Sequence, residues 1–82
     1  MPKLRNLTGQ DIVRIFSTFG FIPVTQRGSH VKLRRVQELS TRQTLTVVLH
    51  DELDKGTLRA ILRQALRYIP ESDLRPYFYT ED

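Results

Sequence analysis

The chain has 82 residues, no cysteine and a formal net charge of +4. A chain of that length buries only about 60% of the surface its unfolded form exposes, so it has room for one thin core, and without cysteine it holds neither a disulfide nor a thiolate metal site. No stretch approaches the roughly 20 apolar residues that span a bilayer, and Met1-Pro2-Lys3-Leu4-Arg5-Asn6 leads into no apolar signal core. The expectation is a single untargeted cytoplasmic domain over residues 1–82, a monomer or weak homodimer when free, with no membrane partner.

Thirteen Lys and Arg stand against nine Asp and Glu, and Glu71, Asp73, Glu81 and Asp82 all lie beyond Pro70. The body of the chain is therefore more basic than the total, and a polyanion is a natural partner.

Leu7-Thr8-Gly9-Gln10-Asp11-Ile12 opens the first helix: Thr8 and Asp11 have the spacing of a capping box, and Leu7 and Ile12 that of a hydrophobic staple. Ile12, Ile15, Phe16 and Phe19 form one apolar stripe, and Gly20 suits the left-handed residue that ends a helix, which predicts a helix over about 8–19. From Phe21 the period changes to alternation. Phe21–Gln26 reads as a strand that, because of Pro23, either lies at a sheet edge or begins near that residue, and Arg27-Gly28-Ser29 as a turn. In the next two strands Val31 and Leu33, then Leu45, Val47 and Leu49, mark the odd-numbered residues as the core face.

Asp54 caps the second helix, whose stripe of Leu58, Ile61, Leu62, Ala65, Leu66 and Ile69 ends at Pro70. The core is expected over about 8–69. Residues 70–82 form a tail in which Leu74, Tyr77 and Phe78 dock a short helical turn. Tyr77-Phe78-Tyr79 reads as an aromatic seal on a core edge or an oligomer contact, or as a base-stacking group. The order α-β-β-β-α gives an α+β fold, a three-stranded antiparallel sheet with two helices on one face, as in double-stranded RNA binding domains.

The two histidines are the side chains that titrate nearest neutrality, and if the chain is an enzyme they lead the candidates for proton transfer. No His-x-x-x-His, paired-carboxylate or glycine-rich phosphate motif is present, so no metal or other cofactor is expected. If the second and third strands pair and both bury odd residues, the numbers of facing residues sum to an even value. A sum of 80 sets His30 directly across from His50 with Leu39-Ser40-Thr41 as the loop. Sums of 78 or 82 slide the two apart without changing their face.

With Arg27, Lys32 and Arg34 beside His30, the open face holds what metal-free RNA cleavage needs: a base for the 2′-hydroxyl, an acid for the leaving oxygen and cations for the phosphate. The same residues also read as a solvated basic strand or as plain phosphate contacts. Arg59, Arg63 and Arg67, at i, i+4 and i+8, form a basic stripe that reads as a solvated face or as a contact for RNA or a partner protein.

Gly20-Phe21, Gln26-Arg27-Gly28-Ser29-His30, Leu45-Thr46-Val47-Val48-Leu49-His50 and Lys55-Gly56-Thr57-Leu58-Arg59-Ala60-Ile61-Leu62-Arg63-Gln64-Ala65 resemble, in order and spacing, the HicA (YcfA-like) toxin family. The resemblance covers about Thr8 to Ile69. It implies a toxin that cleaves messenger RNA independently of the ribosome and is neutralised by a HicB antitoxin covering the active surface. It also implies His30 of the Gly-Ser-His block as the catalytic residue, Gly28 as the tight turn that admits a phosphate, Ser29 as an orienting group and His50 as a second histidine. The chain departs from the family in carrying Val48 where proline is frequent and Asp51 where glycine is frequent, and in its longer, more aromatic tail. The competing readings are a non-catalytic RNA-binding module on the same fold and a protein-interaction domain presenting the second helix and the tail.

Overall fold

The computed structural model describes residues 2–37 and 41–80. The elements are β1 (Lys3–Leu4), α1 (Gly9–Ser17), β2 (Ile22–Arg27), β3 (His30–Gln37), β4 (Thr41–Val48), α2 (Lys55–Ala65), α3 (Glu71–Phe78) and β5 (Tyr79–Thr80). Of the predicted loop Leu39-Ser40-Thr41, the first two residues lie outside the described residues and Thr41 begins β4.

Both helix starts follow from their caps. Thr8 Oγ1 accepts the Asp11 N–H at 3.0 Å while the Asp11 carboxylate accepts the Thr8 N–H at 3.0 Å, and Leu7 and Ile12 are buried beside them. Asp54 Oδ1 accepts the Thr57 N–H at 2.6 Å at the start of α2. The regular part of α1 is shorter than the 8–19 expected, because Thr18–Gly20 tighten into a turn that Gly20 closes at φ +93°. That conformation is one glycine adopts without penalty.

The sheet order is β2-β3-β4, antiparallel throughout, with the Pro23 strand at one edge. Val31, Leu33, Leu45 and Val47 are buried together with the apolar stripes of α1 and α2, so one face of the sheet is covered and the other is open. β3 and β4 pair with Val31 opposite Val47 and Leu33 opposite Leu45, a sum of 78. Arg35 pins this register. Its Nε donates to Gln43 Oε1 across the strands at 2.8 Å, its guanidinium reaches the Phe19 carbonyl at 2.9 Å and the Tyr68 carbonyl at 3.2 Å, and it lies 4.7 Å over the Phe21 ring. One cation thus satisfies carbonyls just past the ends of both helices, groups that have no intrahelical partner.

The tail is more ordered than a single docked turn. α3 runs through Pro76, buries Leu74 and Phe78 completely, and sets Phe78 6.1 Å from Phe16, centroid to centroid. Tyr77 stays 36% exposed, edge-on to Phe19. β5 then pairs with β1, Lys3 opposite Thr80 and Leu4 opposite Tyr79, and Lys55 Nζ reaches the Leu4 carbonyl at 2.9 Å and Asn6 Oδ1 at 3.0 Å. Two-residue strands carry no periodicity, and the sequence gives no sign of this second sheet. Among the described residues no helix is long and apolar enough to cross a membrane.

Gly9 is where α1 meets the sheet. A Cβ there would collide with the Val48 carbonyl oxygen and lie 2.6 Å from Leu49 Cα, and the Gly9 N–H donates to the His50 carbonyl at 2.9 Å. Because the obstructing atoms are backbone, Gly9→Ala is expected to destabilise the fold by about 1–3 kcal/mol, the cost of overpacking, read as a lowered midpoint of urea unfolding. The caps predict the pH response. The Thr8 N–H holds the Asp11 carboxyl below its ordinary range, and the Thr57 N–H does the same for Asp54. Both groups contribute stability while charged, so stability is held above the unfolded carboxylate range and is lost as pH falls through the lowered folded values. Urea midpoints measured from neutral to acid pH should show that fall, and Asp54→Asn should flatten part of it.

Candidate functional site

The open face of the sheet is shaped by a bulge in β2. Pro23 lies opposite Leu33, but the register shifts before Thr25, which faces Lys32, and Arg27 faces His30. Val24 is left over, and every later residue of β2 changes face. Without that extra residue Arg27 would share the helix-covered side with Pro23. With it, Thr25 and Arg27 join His30 and Lys32 on the open side, and bulges are a recurrent means of re-aiming side chains beside functional sites. Directly opposed residues carry Cβ atoms about 4.5–5.5 Å apart, so Arg27 and His30 are immediate neighbours.

These four side chains and Thr46 of β4 line a concavity of about 390 Å³. Its lining holds two cations and one exposed imidazole and no carboxylate. The β2–β3 turn is Gly28-Ser29, with Gly28 at φ +56°, and the Gln26 side chain donates to the Gly28 carbonyl at 3.0 Å. The Ser29 carbonyl accepts the Leu49 N–H at 2.6 Å, which ties the turn to the end of β4. Arg34 lies one step further along β3, opposite Ile22 and Thr44. It is outside the concavity, and its Nε is buried without a hydrogen-bond partner.

His50 is not where a sum of 80 would put it. In the observed register His30 faces Val48, the last residue of β4. The strand stops there because the backbone of Gly9 abuts Val48 and Leu49, and the chain turns toward α2. His50 is exposed and outside the His30 concavity, near enough to Asp54 for its charge to add to the bond from Thr57 that lowers that carboxyl's pKa. The direct pairing of the two histidines does not occur.

Of the α2 stripe, Arg63 and Arg67 line a concavity with Gln64, whereas Arg59 lines another with Lys3 and Lys55. Sequence reading missed Thr25, Thr46 and Gln64. Thr46 follows from strand parity once the register is known, but Thr25 depends on the bulge, which Pro23 and Val24 do not announce.

A model of the family described as the HicA toxin of bacterial toxin-antitoxin systems matches residues 9–66, from the start of α1 to just past α2, well over half of the chain. No curated protein and no solved structure gives a significant match. A basic α+β domain with an open-faced three-stranded sheet and this match is a toxin of the toxin-antitoxin class, whose partner in general is an antitoxin. The chain belongs to the HicA toxin family.

Gly28 has nothing within 4 Å of where a Cβ would stand, so a substitution there costs conformation and not space. Gly28→Ala should destabilise the protein by about 1–2 kcal/mol, the cost of the left-handed region for an L-residue. Gly28→Asn should recover part of that, because Asn tolerates the region better. Thermal unfolding of the two variants against the parent checks the order.

Proposed function

We propose that the chain is a metal-independent endoribonuclease that cleaves messenger RNA, with His30 as its acid-base group, and that it is silenced by a HicB-type antitoxin covering the same open face. The observation that carries this reading is the opposition of Arg27 to His30, with Lys32 next on the same face. A phosphodiester held between the two cations sits against the imidazole. Neutral His30 takes the proton of the 2′-hydroxyl, the 2′-oxygen forms a bond to phosphorus, the bond to the 5′-oxygen breaks, and the leaving oxygen receives a proton from His30. A 2′,3′-cyclic phosphate and a 5′-hydroxyl result, and the imidazole ends as it began. Arg27 suits the charge that builds on the phosphate because its planar fork can hold two oxygens at once. Gly28 and Ser29 set the approach of the backbone, and Arg34 reaches the flanking phosphate.

Both proton transfers are given to His30, since His50 lies outside the concavity. DNA lacks the attacking hydroxyl and is not a substrate on this chemistry.

His30→Ala, an exposed substitution expected to leave folding intact, should slow cleavage of a mixed-sequence single-stranded RNA by about 10²–10⁴-fold, the usual share of acid-base catalysis, with chelator present throughout. Equal cleavage by parent and variant overturns the reading. Intact RNA in both, with binding that falls steeply as salt rises, replaces it with a non-catalytic RNA-binding module.

A further inference from the structure

The concavity around His30 is bounded on one side by Thr46, on the edge strand β4. The backbone of Thr46 is met there by a side chain of α2. Gln64 Oε1 accepts the Thr46 N–H at 3.2 Å, and Gln64 Nε2 donates to the Thr46 carbonyl at 3.3 Å. The side-chain amide takes the place of a neighbouring strand at this one residue and brings α2 to the rim of the concavity. Gln64, Ala60, Arg63 and Arg67 line a second concavity of about 410 Å³, and the Thr46–Gln64 bonds link a residue of the first lining to one of the second.

Arg63 and Arg67 are exposed. Among the described residues the ion pairs are Arg14 with Asp11 and Arg75 with Glu71, so neither Arg63 nor Arg67 is held by an acid. Arg67 rests over the Tyr68 ring at 5.7 Å, a hold that leaves its donors free. Arg63 lies in the last turn of α2 and Arg67 in the turn that follows it, and the two line the same concavity beside the small Ala60. Arg59 opens on a different surface, with Lys3 and Lys55.

We infer that single-stranded RNA runs from the His30 concavity across the Thr46–Gln64 crossing onto the C-terminal end of α2 and the turn after it, where Arg63 and Arg67 bind phosphates next to the one being cleaved. This rests on the ribonuclease reading and extends it, because it assigns the substrate a direction across the fold. Phosphate contacts fix register without reading sequence, so this extension raises affinity for longer RNA without adding base preference.

The test uses His30→Ala protein, in which bound RNA stays intact, titrated with a fluorescent single-stranded RNA of about twelve nucleotides, within the usual span of such sites, over a range of salt. Arg63→Gln with Arg67→Gln in that background is expected to bind at least tenfold more weakly. The slope of log affinity against log salt should become shallower by about 1.4, the value when two fewer phosphates of a single strand are neutralised. Arg14→Gln with Arg75→Gln, which removes the same charge elsewhere, should bind like the parent. If the α2 variant binds like the parent, or the control weakens as much, the path is wrong. The readout is binding, so RNA that is held along this path but never cut by the His30-containing protein overturns the ribonuclease reading alone. Normal cleavage by the His30-containing protein together with unchanged binding in the Arg63→Gln, Arg67→Gln variant overturns the path alone.

Discussion

One surplus residue in an edge strand decides what the open face of this protein presents. A three-stranded sheet covered on one side has only alternate residues to offer solvent, and β3 offers His30, Lys32 and Arg34 by simple alternation. β2 cannot join them by the same alternation, because Pro23 is aligned with the buried Leu33. The bulge at Val24 breaks that constraint locally. It shifts the alternation of the second part of β2 by one residue, so that Thr25 and Arg27 share the open face and an arginine faces a histidine in a β-hairpin closed by two residues. The bulge and Pro23 together also spoil this strand as a template for further pairing, which protects the edge nearest the candidate site.

On the other side of the sheet a single guanidinium has a comparable influence. Arg35 bonds across to Gln43 and reaches the chain just past both major helices, so strand register and helix placement are held by the same group. That register also separates the two histidines, since it runs β4 out at Val48 just where Gly9 meets the sheet. A surface candidate, His50, is thus positioned by packing on the covered side that involves no other candidate residue.

The caps, stripes and strand parity were legible in the chain because each is a local pattern: Thr8 with Asp11, Asp54 with Thr57, Val31 and Leu33 with Leu45 and Val47. The resemblance to HicA toxins carried by Gly28-Ser29-His30 and its flanking blocks agrees with the family match over residues 9–66. What parity left open was the register, which 78, 80 and 82 satisfied equally. Among the described residues, the long-range bonds of Arg35 and the close approach of Gly9 accompany the sum of 78. Val24 gave no sign of being the extra residue, because a bulge is defined by the partner strand and not by its own sequence. Arg35 itself reads as one more cation in Lys32-Leu33-Arg34-Arg35, and its parity on the core face was the only hint that it differed from its neighbours.

The pairing of β1 with β5 joins Lys3 to Thr80 and Leu4 to Tyr79, and between them lies nearly every other residue described. Closing so long a loop carries a large entropic cost that local contacts do not. On the ribosome, Lys3 emerges well before Thr80 and cannot meet its partner until Thr80 has been made and has cleared the exit tunnel. The same delay applies to Leu74 and Phe78, which complete the core beneath α1. The strands bearing His30 and Arg27 are therefore synthesised well before Leu74 and Phe78, the residues that complete the core.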